Sequence, residues 1–162
     1  AALEAAGHLD YMVEAGGEVR ARGRNRRGEV WRIGIELPDE LGREAHTIIP
    51  LADLALATSG DYRNFRVLEG RRISHTIDPR VGRPIAHDLA SVSVVHPSCM
   101  TADAWATALE VLGPAEGPTL ADRLELAALF LVREDAGRFR ELRSAAWAAH
   151  FEMEQPAAGV LE

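Results

Sequence analysis

The sequence predicts an α+β domain, a mixed or antiparallel sheet with helices packed on it. Three observations lead there. Short runs of alternating apolar and polar residues recur through the first half, as at Glu18 to Arg22 and Trp31 to Leu37. Ser91 to Val95 is β-branched and leads through Pro97-Ser98 into the Ala/Leu-rich run from Met100, a strand followed by a helix. Leu126 to Val132 is strongly apolar but too short for a typical helix, which marks a central strand. No strict strand–helix–strand alternation runs through the chain, and that argues for α+β.

In order, Ala1 to Leu9 predicts a short amphipathic helix with Leu3, Ala6 and Leu9 on one side. Tyr11 to Val13 reads as a strand ending at Gly16-Gly17. Glu18 to Arg22 places Val19 and Ala21 inward, and Glu29 to Leu37 alternates again after the polar turn Arg24 to Gly28; the two runs predict a hairpin. Glu44 to Pro50 and Asp53 to Thr58 are further strand-like runs, with Ser59-Gly60-Asp61 as a turn. Tyr62 to Leu68 and Arg71 to Ser74 predict strands about a tight Glu69-Gly70 turn, and His75 to Pro84 an irregular loop. Ser98 is the expected helix N-cap, and Gly113-Pro114 the expected stop. A second helix continues through Leu120 to Leu124. Phe139 to Phe151 predicts a closing helix with Leu142, Ala146 and Trp147 inward, and Gln155 to Glu162 a flexible tail.

Length and composition bound the function. The 162 residues suffice for one domain with a real core. Acidic residues outnumber basic ones 25 to 18, and the formal charge of −7 argues against nucleic acid as a partner. Every basic residue is Arg, which excludes Schiff-base and P-loop lysine chemistry from this chain. The single cysteine, Cys99, excludes an intrachain disulfide. No apolar run approaches the ~20 residues that span a bilayer, and no secretory signal pattern is visible.

The sequence contains no G-x-S-x-G, Walker-type G-x-x-x-x-G-K or H-E-x-x-H motif. His75, His87 and His96 fit no standard zinc spacing. The arginines Arg20, Arg22, Arg24, Arg26 and Arg27 could meet phosphate, but a solvated hairpin tip is the better reading. Asp103 and Thr107 lie four apart and share a helix face. Such a pair either contributes oxygens to a hard cation or complements the helix dipole while the threonine packs among alanines, and spacing alone favours the second. His75 ends a strand before Asp78-Pro79, in a loop fixed by Gly82 and Pro84. An imidazole so held can take a proton from a hydroxyl near neutral pH, although a lone histidine is usually structural.

Five segments occur in an order that identifies a family. They are GGEVRARG (16–23), WRIGIELP (31–38), ATSGDYRNF (57–65), SHTIDPRVGRP (74–84) and MTADAWATALEVLGP (100–114). Together they resemble the C-terminal half of the ApbE family, the FAD:protein FMN transferases, formerly labelled thiamine-biosynthesis lipoproteins. The resemblance covers roughly Leu9 to His150. It implies a T-fold-related domain over residues 1–154, and a Mg²⁺-dependent reaction in which FMN passes from FAD to a Thr or Ser of a target protein and AMP leaves. It places Asp103 and Thr107 on the metal ligands and His75 on the candidate base. It also places Gly16, Gly17, Ser59, Gly60, Tyr62, Ile77 and Asp78 in segments near the flavin nucleotide. Val81 stands where the family usually has Thr, and Thr76 where it usually has an apolar residue. The family's N-terminal half, with its A-K-G-type segment and flavin-sandwiching residues, has no counterpart in these residues, so a fragment is expected, inactive by itself. Two other activities stay open: an FAD pyrophosphatase that gives FMN and AMP, and a non-catalytic flavin-binding or structural module.

Overall fold

The computed structural model describes residues 2–38, 44–61, 65–68 and 71–151. The elements run α1 (Ala2–Ala5), β1 (Tyr11–Ala15), β2 (Glu18–Arg22), β3 (Trp31–Glu36), β4 (Ala45–Leu51), β5 (Ala55–Gly60), β6 (Phe65–Leu68), β7 (Arg71–Ser74), β8 (Ile77–Asp78) and β9 (Arg83–Pro84). They continue β10 (Leu89–His96), α2 (Cys99–Arg123), β11 (Ala127–Arg133), β12 (Phe139–Arg143) and α3 (Ala145–Phe151). Six strands form one antiparallel sheet in the order β1-β2-β5-β10-β11-β12. The remaining strands pair as β3–β4, β6–β7 and β8–β9. The α+β expectation holds.

The sheet carries two cores, one on each face. Ala57, Val92, Val94, Ala128, Phe130 and Val132 point to α2 and meet its Ala102, Ala106, Leu109 and Ala121. Leu56, Val95 and Leu129 point the other way, to Ile33, Ile35, Ile49 and Leu51 of the β3–β4 pair and to Trp147 of α3. Strand β11 is covered on both faces, which is why its sequence is a continuous apolar run and not an alternating one. The alanines of α2 let the helix lie close on the sheet. Gly117 shows how close: a Cβ there would come within 3.1 Å of the Phe130 ring on β11, and within 3.0 Å of the Leu109 carbonyl oxygen in the preceding segment of α2.

Several boundaries differ from expectation. Strand β2 does not pair with β3; only an Arg24–Val30 bridge joins them. It pairs instead with β1 across the two-residue Gly16-Gly17 turn, while β3 pairs with β4. Both glycines have positive φ, 71° and 111°, as a primed hairpin turn requires. Ser59 and Gly60 belong to β5, and only Asp61 follows it. The first helix ends at Ala5 and buries nothing; Leu9 is exposed. Residues 139–143 are a strand, not the start of a helix, and α3 begins at Ala145. Ser144 sets that boundary. Its hydroxyl accepts from the Trp147 amide at 3.2 Å and from the Ala128 amide at 2.9 Å, and donates to the Leu126 carbonyl at 2.7 Å. Glu69, Gly70 and Gln155 to Glu162 lie outside the described residues.

Gly113 kinks α2 and does not end it. Its φ of 76° and ψ of −174° are open only to glycine, and Pro114 then starts a new helical segment that runs to Arg123. A Cβ at Gly113 would lie 2.6 Å from His87 Cδ2. Gly113→Ala is therefore expected to cost about 1–3 kcal/mol from backbone strain alone. A denaturant midpoint equal to wild type would show that the kink relaxes freely.

Candidate functional site

A cleft of about 610 Å³ opens where the sheet loses a strand partner. Strand β5 pairs with β10 along all six residues, but with β2 only at Leu56 and Ala55. From Ala57 to Gly60 its other edge has no strand partner among the described residues, and Thr58, Ser59 and Gly60 line the cleft there. The Gly16-Gly17 turn forms one wall and Ile33 to Glu36 of β3 another. His75, just after β7, and Asp103 and Thr107 of α2 complete it. Five separate parts of the chain thus meet at the cleft, and four of them bring together seven of the ten residues singled out from sequence.

Helix α2 reaches this place because of its cap. Ser98 is extended (φ −109°, ψ 123°), and its hydroxyl accepts from the Thr101 amide at 3.3 Å. One turn on, Asp103 and Thr107 both present exposed side chains to the cleft. Neither has a hydrogen-bond or ion-pair partner among the described residues. Thr107 does not bond back to its own helix, as a purely structural threonine would. His75 is likewise exposed and unpartnered among the described residues.

The cleft is acidic. Glu14, Glu18, Glu36 and Asp103 line it, and no arginine does among the described residues. A polyphosphate could not settle against four carboxylates without a cation between them. Asp103 and Thr107 offer that cation two hard oxygens on one helix side, a partial set of the kind Mg²⁺ takes when waters and substrate phosphates complete it. Among the described residues no three His, Cys, Asp or Glu side chains gather as a metal site.

Three residues stand elsewhere. Ile77 is half exposed and Asp78 is folded onto Arg80; neither lines the cleft. The Arg80 guanidinium donates to Asp78 at 2.9 Å and the Arg80 amide at 2.8 Å, which holds the Asp78 carboxyl below its usual range. Tyr62 lies outside the described residues. Of the arginine run, Arg22 pairs with Glu4 and Arg24 donates to the Gly28 carbonyl at 3.0 Å, so those two serve local structure.

Sequence reading passed over Glu110. It is fully buried on α2, and the Ser59 hydroxyl donates to its Oε2. Residues 103, 107 and 110 follow the i, i+4, i+7 spacing of one helix face, so a polar face directed at β5 was visible as a pattern. Burial pushes the Glu110 carboxyl up to about 7, the nearby Asp61 adds to this, and the Ser59 bond and Arg133 oppose it. A raised carboxyl means the folded state holds the proton that the unfolded state has released between pH 4.5 and about 7. Its contribution is therefore most favourable below 4.5 and is lost as pH rises through 7, by about 3 kcal/mol in order of magnitude. Glu110→Gln should gain stability relative to wild type on going from pH 5 to pH 8. An equal difference in melting temperature at both pH values would contradict this.

Sheet, kinked helix and edge cleft together define the chain as an antiparallel α+β domain with its site at a strand edge. Residues 1–130 match the ApbE family, and the chain belongs to it. An FAD:protein FMN transferase of Vibrio cholerae serotype O1 is 46% identical over 145 residues, which are 90% of this chain and 43% of the relative. That of Escherichia coli K12 is 39% identical over 132 residues, 82% of this chain and 38% of the relative. Among solved structures, the apo flavinyl transferase ApbE of Pseudomonas stutzeri superposes with a TM-score of 0.81 at 44% identity, covering 98% of this chain and 47% of its own. The flavin transferase ApbE from Vibrio cholerae gives 0.79 at 43% identity, covering 91% and 46%. The chain thus spans less than half the length of these relatives.

Proposed function

We propose that this chain is the C-terminal part, over residues 1–154, of an FAD:protein FMN transferase. The relatives' names supply the activity, and one observation carries it to this chain. The cleft joins Asp103, Thr107, His75, Ser59, Gly60, Gly16 and Gly17 from four parts of the fold. The acceptor is a Thr or Ser hydroxyl of another protein. Its oxygen bonds to the FMN-side phosphorus of FAD, the pyrophosphate P–O bond breaks, and AMP leaves. His75 takes the hydroxyl proton as general base. Asp103 and Thr107 are the residues that would hold Mg²⁺, which supplies charge neutralisation on the phosphate oxygens. The Gly16-Gly17 turn and the edge of β5 that has no strand partner among the described residues present backbone, with little side-chain bulk, to the nucleotide.

The test is to incubate the protein carrying this chain with FAD, Mg²⁺ and a Thr-bearing acceptor and to read the products by mass spectrometry. An acceptor heavier by an FMN phosphoester, with one AMP per event, is expected. FMN and AMP without adduct would make it a pyrophosphatase, and no cleavage would make it a non-catalytic module. Residues 1–162 in isolation are expected to give no adduct, because over half of each relative's length lies outside the match. Adduct formed by them at the rate of a relative would overturn that expectation.

A further inference from the structure

Behind the cleft wall sits a carboxyl that the reaction above does not use. Glu110 is fully buried; its Oε2 accepts from Ser59, and its Oε1 is buried with no partner among the described residues. Ser59 itself lines the cleft. A serine hydroxyl has one proton to give. While that proton is spent on the Glu110 carboxylate, Ser59 meets a ligand only as an acceptor. A neutral Glu110 can donate to Ser59 Oγ instead, and the serine proton is then free to turn into the cleft.

We propose that Glu110 is a positioning residue that sets the polarity of Ser59: a nucleotide acceptor atom seated at Ser59 is bound with uptake of one proton, from solvent, at Glu110. This rests on reading the cleft as an FAD site. Geometry favours the neutral form, because a buried carboxylate with an orphan oxygen lacks the bonds that would offset its desolvation. The groups bearing on it are few. Asp61, after β5, disfavours its charge, and Arg133 of β11 favours it while itself pairing with Asp61. Strand β10 turns Val92 and Val94 to α2. Glu18 and Arg20 of β2 stand by Cys99 and Asp103 at the helix start, and His87 packs on Gly113 one turn along. A carboxyl lifted to about 7 then takes up a proton from neutral solution when the ligand demands it.

Calorimetry of FAD binding to the whole protein that carries this chain, with Mg²⁺, in two buffers of different ionisation enthalpy counts the protons. Wild type should take up close to one proton at pH 8 and close to none at pH 5.5, with affinity falling up to tenfold per pH unit above 7. Glu110→Gln, whose amide donates to Ser59 at every pH, should bind at pH 8 as wild type does at pH 5.5, with that uptake gone. Glu110→Leu, which can neither donate nor accept, should lose affinity at both pH values; a fall in all Glu110 variants alike, with wild-type proton counts in each, would mark a merely structural residue and overturn the inference. So would binding by wild type at pH 8 without uptake. No FAD binding at all would instead sink the FAD reading, and this inference with it.

Discussion

His75→Ala in the active protein should slow FMN transfer by ~10²–10⁴-fold at saturating FAD and leave FAD affinity nearly unchanged. The split follows from where the residue stands. His75 opens on the cleft beside the β5 edge but has no hydrogen-bond partner among the described residues. Its removal leaves no buried group unpaired, so stability should stay within about 0.5 kcal/mol. Its proposed partner, the acceptor hydroxyl, arrives with the second substrate, so FAD binding alone does not engage it. Single-turnover transfer measured against acceptor concentration, with FAD binding followed separately by fluorescence, reads both quantities. A transfer rate equal to wild type would remove His75 from the chemistry. A loss confined to FAD affinity would move it to nucleotide binding.

The strand read at Ser91 to Val95, which the fold extends to Leu89–His96, the Ser98 cap and the apolar β11 were visible because each carries its own local signal: β-branched residues, a capping hydroxyl, a run buried on both faces. Strand pairing was not, since β2 alternates equally well against either neighbour. Only the Gly16-Gly17 pair distinguished the true turn. Residues 139–143 misled because β12 is an edge strand with one solvated face, and its Arg and Glu also suit a helix. Gly113-Pro114 read as a stop, since a glycine of positive φ followed by proline is also how one helical segment ends and the next begins. In the cleft, spacing put Asp103 and Thr107 on one helix face but favoured a structural role, and only the family resemblance pointed to a metal; Glu110 drew no reading of its own, because its partner Ser59 is brought against it only when β5 is in place.

Asp103→Asn should raise the Mg²⁺ concentration needed for half-maximal activity by roughly ten- to a hundredfold, with less effect on the rate once Mg²⁺ saturates. The side chain is exposed in the cleft and has no partner among the described residues, so an isosteric amide costs the fold little. What changes is charge. One unit charge ~4 Å from another is worth ~4 kcal/mol at an effective dielectric of ~20, a divalent ion doubles this, and desolvation offsets most of it. A remainder of about 1.4–2.8 kcal/mol corresponds to one or two powers of ten. Thr107→Val removes a neutral oxygen and should shift the titration less. The two residues share one helix face, so their effects should not add if both meet the same ion. A purely dipolar role for Asp103 predicts the opposite pattern: a small loss of helix stability, and identical Mg²⁺ titrations for mutant and wild type.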